Sequence, residues 1–203
     1  MTKKIHWQTV SGDEIEDAVS RNELEDLLPT CQAIYLWRRN LSPPKRALRD
    51  PNSFYKWIDR ILQTPLGVIE NKELSHFAKL QSLVLGGLGL TRDKRDTLKK
   101  LLHHSAHRNW IKQFIESMTA LTPPIYVGET NDLCSRVRQH VNGDTNLGDV
   151  VISKLRLTWS ALELGYLELG PKKEDTSDAK ARRTLLEMIA ARLVLACWVE
   201  RIG

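Results

Sequence analysis

The sequence predicts an α+β fold: a small, mainly antiparallel three-stranded sheet flanked by helices and interrupted by a large helical insertion. Three observations carry that expectation. Short runs of β-forming residues stand at 31–37, at 125–130 and within 150–169. Apolar residues recur at helical spacing after the second and third runs, over 132–141 and 181–199. Between the first and second runs, residues 38–120 are mostly helical in periodicity and carry the chain's positive excess.

Residues 11–28 set Ile15, Val19, Leu24 and Leu27 among many acids, with Ser11 or Asp13 available as a cap, and so predict a short acidic helix. Pro29 and Thr30 break it, and the apolar run 31–37, with Ile34, Tyr35 and Trp37, follows as the first strand. Adjacent Pro43 and Pro44 disfavour helix for themselves and the residue before them, so RRNLSPPKRAL over 38–48 reads as a basic loop. Phe54, Trp57, Ile58, Ile61 and Leu62 mark one helix of the insertion. Leu74, Phe77, Leu80, Leu83 and Val84 mark a second, stopped by Gly86, Gly87, Leu88 and Gly89. One long helix or two shorter ones then fill 91–121, with a break near 105–109. Pro123 and Pro124 introduce the second strand, IYVGET, and Asn131 or Asp132 caps a helix that runs through Val141 to Asn142 and Gly143. The third strand falls within 150–169, a polar linker covers 170–180, and the last helix sets Leu185, Leu186, Ile189, Leu193, Val194 and Cys197 on one broad face. The resulting division is an acidic N-terminal helix at 1–30, a core made of 31–37 and 121–203, and a basic helical insertion at 38–120.

Composition narrows the class. With 203 residues, 41% apolar and 27% charged, the chain is long enough to bury a core, and its composition fits neither a disordered nor a disulfide-framework protein. No run approaches the roughly 18 apolar residues of a membrane span, and the N-terminus lacks a secretory apolar stretch, so the expectation is a cytoplasmic protein without membrane contact. Cys31, Cys134 and Cys197 are widely spaced and read as small core residues. His103 and His107, at i and i+4, read as a solvated helix face or a phosphate contact. The net charge of +5 is unevenly spread: residues 31–120 carry sixteen basic against seven acidic side chains, whereas residues 1–30 are net negative. A local basic excess of this kind is the footprint of a polyanionic partner.

The chemistry-bearing residues gather around the second strand. Arg136 and His140, at i and i+4, project from one flank of the helix whose apolar stripe is Leu133, Cys134, Val137 and Val141. Upstream, Tyr126 and Gly128 share one strand face, and the glycine leaves room beside the tyrosine. Phosphodiester hydrolysis needs a group near the attacking water, a cation over the scissile phosphate and a carboxylate for a divalent metal, and these residue types supply them.

Their spacing resembles the GIY-YIG nuclease family. IYVGETNDLCSRVRQHVNG, residues 125–143, is similar to the family's second motif: Tyr-x-Gly, an arginine ten residues after the tyrosine, and a histidine four later. AIYLWRR, residues 33–39, resembles the first motif with alanine in place of its usual glycine, and RRTLLEMIAARLVLACW resembles the helix bearing the metal-binding glutamate, at Glu187. Glu163, Glu168 and Glu174 compete for that role. Two features depart from the family. Tyr35 and Tyr126 stand 91 positions apart where a short hairpin is usual, and no asparagine follows Asn146. The long insertion is tolerable because loop-closure entropy grows slowly with length.

The resemblance implies a Mg²⁺-dependent (or Mn²⁺-dependent) DNA endonuclease of restriction or phage-defence type. The alternatives are a structure-specific repair or recombination nuclease, or an inert DNA-binding or protein-interaction module on the same fold. By that resemblance Tyr35 is the general base supported by Tyr126, Arg136 stabilises transition-state charge, His140 positions or protonates a phosphate oxygen, and Glu187 holds the metal. Arg38, Arg39, Lys45, Arg46 and Arg49, directly after the first strand, are the candidate contacts to double-stranded DNA. Arg92, Lys94, Arg95, Lys99 and Lys100 read equally as groove contacts or as a solvated helix face. A second copy of the chain is the other partner considered, as a homodimer.

Overall fold

The computed structural model describes residues 6–63, 65–75, 78–86, 89–172 and 176–194, with 65–86 described through its backbone. The fold is α+β and divides into two compact units: Met1–Asn40 with Pro123–Gly203, and Leu41–Thr122. No helix among the described residues is long and apolar enough to cross a membrane.

The first unit is built on an antiparallel sheet. In chain order its strands are β1 (Gln8–Ser11), β2 (Cys31–Arg39), β5 (Pro124–Thr130) and β6 (Leu162–Pro171), arranged β1-β6-β2-β5. Four strands replace the three expected. The added strand, β1, is a four-residue edge whose side chains are exposed or half-buried, so it lacks the apolar run that marks its neighbours. Helix α1 (Gly12–Arg21) starts directly on Ser11, which forms a capping box with Glu14, and Asn22 in the left-handed region ends it. The single acidic helix expected over 11–28 is therefore two, because α2 (Leu24–Leu27) begins only after that turn.

Strand β2 also runs two residues further than expected. Arg38 and Arg39 belong to the ladder, opposite Glu163 and Leu162 of β6, and not to a basic loop. The long apolar core of β2 is paired on both sides, and β6 is long enough to carry the pairing past Trp37. One face of the sheet holds Ala33, Tyr35, Trp37, Tyr126, Leu164 and Tyr166, packed with Ile15, Leu24, Leu133, Val137 and Trp159. The other face holds Ile34, Leu36 and Val127 with Ala191 of α9 (Ser177–Val194).

Helix α9 turns a different side to the sheet than its leucines suggest. Arg183 and Ala191 are buried and Glu187 is half-buried, whereas Leu185, Ile189 and Leu193 are exposed. The helix is apolar over more than one face, so the broadest apolar stripe does not identify the packed side. Cys197 and Glu174 lie outside the described residues.

The second unit contains α3 (Lys45–Leu48), α4 (Pro51–Gln63), β3 (Pro65–Ser75), β4 (Ala78–Gly86), α5 (Arg92–Leu102) and α6 (Ser105–Met118). Phe54, Ile58, Leu102 and Ile111 form its core. The helix expected around 74–84 is a two-stranded antiparallel hairpin, β3 with β4, in which Val68 faces Val84 and Ile69 faces Leu83 in register. Apolar positions counted in isolation favour a helical period, while the β-branched Val68, Ile69 and Val84, paired away from the turn, favour strands. Phe77, Gly87 and Leu88 lie outside the described residues. The break in 91–121 comes at His103 and His104, so His103 and His107 do not share a helix.

Candidate active site

Helix α7 (Leu133–Val141) is pinned at its start by Asp132, whose side chain accepts from the Ser135 N–H at 3.0 Å and pairs with Lys172 at 2.8 Å. Leu133, Cys134 and Val137 bury one stripe of it against the sheet. Arg136 and His140 therefore stand at fixed positions one turn apart above β2 and β5.

On those strands, Tyr35 faces Gly128 and Trp37 faces Tyr126. The pairing then slips between Trp37 and Arg38, which faces Pro124. Ile125 is the extra residue of this bulge, and both it and Tyr126 pack into the same core cluster. Gly128 is required by close approach: a Cβ there would lie 2.6 Å from the Tyr35 hydroxyl and 2.7 Å from the Tyr126 ring. The missing side chain lets the two tyrosines converge, with ring centroids 5.9 Å apart.

His140 completes the cluster. Its ring centroid lies 5.7 Å from that of Tyr35 and 5.6 Å from that of Tyr126. Its Nε2 is 2.8 Å from the Tyr35 hydroxyl, and the Arg136 Nε–H donates to the same hydroxyl at 3.3 Å. The other ring nitrogen, Nδ1, is 2.6 Å from Thr145 Oγ1. Gly143, at φ +83°, makes the turn that brings Thr145 back to the histidine. Sequence reading did not single out Thr145; a hydroxyl five residues beyond the histidine, just past a glycine turn, is the signal that was available.

Burial sets the electrostatics. Tyr35 is fully buried, and Tyr126 keeps only 6% exposure. Burial raises the Tyr35 phenol well above its usual range, and Tyr126 adds to this against the opposing pull of Arg136. Burial also raises Tyr126, but Tyr35 and Arg136 both favour its ionised form, while the Glu187 carboxylate opposes it. His140 is pushed down to about 3 by burial and by the Arg136 charge, so its ring is neutral at pH 7. Burial alone would lower Arg136, yet the two tyrosines outweigh it and hold the guanidinium charged.

Glu187 is positioned by its own helix. One turn earlier on α9, the buried Arg183 Nε donates to Glu129 Oε2 of β5 at 2.7 Å and ties the helix to the sheet. Of the other carboxylates considered, Glu163 pairs with Arg38 at 3.1 Å, and Glu168 accepts from Gln8 at 2.9 Å.

Among the described residues no three His, Cys, Asp or Glu side chains stand together as a ligand group. The residues present fit a magnesium ion, which keeps several waters and is usually held by one or two carboxylates with phosphate oxygens completing the shell. Glu187, half-buried and electrostatically felt by Tyr126, is a carboxylate of that kind.

Four predicted site residues, Tyr35, Tyr126, Arg136 and His140, thus meet in one cluster, with Glu187 acting on it through its charge. The basic candidates are divided between the units: Arg38 and Arg39 are in β2 of the first, Arg39 buried, and Lys45, Arg46 and Arg49 are exposed on and just after α3 in the second. No family model, curated protein or solved structure matches the chain.

Proposed function

We propose that the chain is a metal-dependent DNA endonuclease of the restriction or phage-defence type, resembling GIY-YIG nucleases. One observation carries the reading: residues 35, 126, 136 and 140, from two strands and a helix, join in one hydrogen-bonded cluster of two phenols, a guanidinium and an imidazole. An ordinary core has little use for a half-buried guanidinium donating to a fully buried phenol.

Within this reading the two tyrosines exchange the roles first assigned to them. Tyr35 has no exposed surface and a strongly raised phenol, so it acts as a fixed link between His140 and Tyr126. Tyr126 is the phenol that retains exposure; burial raises it while Tyr35 and Arg136 favour its ionised form, and it is as the phenolate that it accepts the proton of the attacking water. Arg136 offsets the negative charge that builds on the phosphate in the transition state. Buried, neutral His140 orients Tyr35 and does not protonate a phosphate oxygen. Glu187 is the residue that would hold Mg²⁺, which supplies positive charge beside the leaving oxygen when bound.

The direct test incubates purified protein with supercoiled plasmid and Mg²⁺, with EDTA as control. Metal-dependent cutting at fixed bands is expected. Nicking confined to branched DNA would move the assignment to repair, and no cutting with any divalent metal would leave an inert module.

For binding, neutralising Lys45, Arg46 and Arg49 together should weaken affinity for any duplex sequence and flatten the log–log salt dependence by about 0.9 for each phosphate that is no longer neutralised. Titrations of wild type and the triple alanine variant over a salt series measure this. An unchanged slope would remove α3 from the interface.

A further inference from the structure

Helices α1, α7 and the short α8 (Asn146–Asp149) turn large apolar residues inward, burying Ile15, Leu133, Val137 and Leu147. Helix α9 does the reverse. The side turned to the sheet offers Arg183, Glu187, Ala190 and Ala191, of which only the alanines join the apolar contact with Ile34, Leu36 and Val127. Leu185, Leu186, Met188, Ile189, Leu193 and Val194 are between 36% and 79% exposed. Apolar surface gathered on one helix in this way, and not scattered singly, marks a contact with another macromolecule.

The order of charges along that surface selects the partner. Asp178, Leu185 and Arg192 stand at i, i+7 and i+14, in line down the outward side of the helix, and all three are exposed. The pattern is symmetric about Leu185, with an acid two turns before it and a base two turns after it. A second α9 laid antiparallel, with the two-fold axis at Leu185, sets Asp178 against Arg192 of the partner subunit at both ends. The same register puts Ala181 opposite the partner's Ile189, where the small side chain leaves room for the large one. It also lays the aliphatic stem of Arg182 along the partner's Met188. A parallel pair would bring acid against acid and base against base. An apolar stripe between one acid and one base offers a polyanion little.

We propose that the outward side of α9 is a self-association surface on which a second copy of this chain packs antiparallel about Leu185. Such a contact is isologous: one surface serves both copies, so assembly closes at two. Glu187 follows Leu185 by two residues and so lies on the opposite side of the helix, where the interface leaves the candidate site uncovered. The interface does not depend on the nuclease reading, but its meaning for cleavage rests on it. A two-fold dimer holds two symmetry-related sites, an arrangement suited to cutting both strands of a palindromic duplex.

Analytical ultracentrifugation over a concentration series reaching the high micromolar range should show a species of twice the chain's 23.2 kDa mass. Leu185→Asp, which sets two carboxylates against each other at the axis, should leave a monomer throughout. Since Leu185 is half exposed, the variant should keep the wild-type circular dichroism spectrum. Charge exchange tests the register. Asp178→Arg and Arg192→Asp each turn two ion pairs into repulsions and should weaken association by at least about tenfold, whereas the variant carrying both should return to within about threefold of wild type. A wild type that stays monomeric overturns the proposal, as does a dimer that survives Leu185→Asp or a double variant weaker than either single one. On plasmid, Leu185→Asp should nick where wild type linearises. A dimer that cuts no DNA would keep the interface and remove the nuclease reading.

Discussion

Replacing Arg136 or Glu187 with alanine is expected to slow DNA cleavage by on the order of a hundred- to a thousandfold, roughly 3 to 4 kcal/mol of transition-state stabilisation, while leaving the fold intact. Arg136 is half-buried at the edge of the cluster, and Tyr35 keeps His140 as a partner when the guanidinium is gone. The stability cost should be about that of one hydrogen bond, on the order of 1 kcal/mol. Glu187 is not part of the packed apolar contact between α9 and the sheet, which Ala191 makes, and Arg183 still anchors the helix to Glu129. Binding and cutting should therefore separate. Without metal, the Glu187→Ala variant should bind DNA at least as well as wild type, because a negative charge facing phosphate has been removed. Single-turnover rates and equilibrium binding on the same duplex measure both effects. A Glu187→Ala enzyme that cuts at the wild-type rate in Mg²⁺ would put the metal ligand elsewhere, with Glu163 and Glu168 next to be tested.

The second large effect is on stability. His140 is 1% exposed and its folded pKa is depressed to about 3, against a usual value near 6.5. Between those values the unfolded chain binds a proton that the folded chain does not, so stability falls as pH falls through this window. The contribution is fully present above the unfolded value and is lost progressively below it, reaching about 2 kcal/mol by pH 5. Urea unfolding at pH 7.5 and pH 5.0 should show this loss for wild type and a smaller one for His140→Asn, which cannot titrate. Equal losses in the two proteins would mean that His140 is protonated in the folded state.

The site was legible mainly where local spacing dictates geometry. Arg136 and His140 share a helix, and the i, i+4 relation places them together whatever the rest of the fold does. Tyr126 and Gly128 share a strand face for the same kind of reason. Tyr35 required the long-range pairing of β2 with β5, which the motif resemblance suggested and which periodicity alone does not specify. Depth of burial was not legible: an Arg/His pair on a helix flank reads as solvent-facing, yet His140 is enclosed because the turn at Gly143 folds Thr145 back over the ring. Arg38 and Arg39 were misplaced because strand length depends on the partner strand, and β6 extends far enough to pair both. The β3–β4 hairpin was missed for a related reason, since residues spaced for a helix can be recruited into a ladder when a partner strand lies nearby in sequence.

The central claim is that this buried cluster is a nuclease site whose reacting phenol belongs to Tyr126. Single-turnover cleavage of one duplex by wild type, Tyr126→Phe and Tyr35→Phe tests it most directly, with urea stability measured on the same preparations. Tyr126→Phe is expected to bind DNA and fold as wild type but to lose cleavage by at least about a hundredfold, the scale of a general base. Tyr35→Phe strands the buried His140 Nε2 and should cost about 1 to 3 kcal/mol of stability in addition to slowing cleavage. A Tyr126→Phe protein that cuts at the wild-type rate would contradict the account.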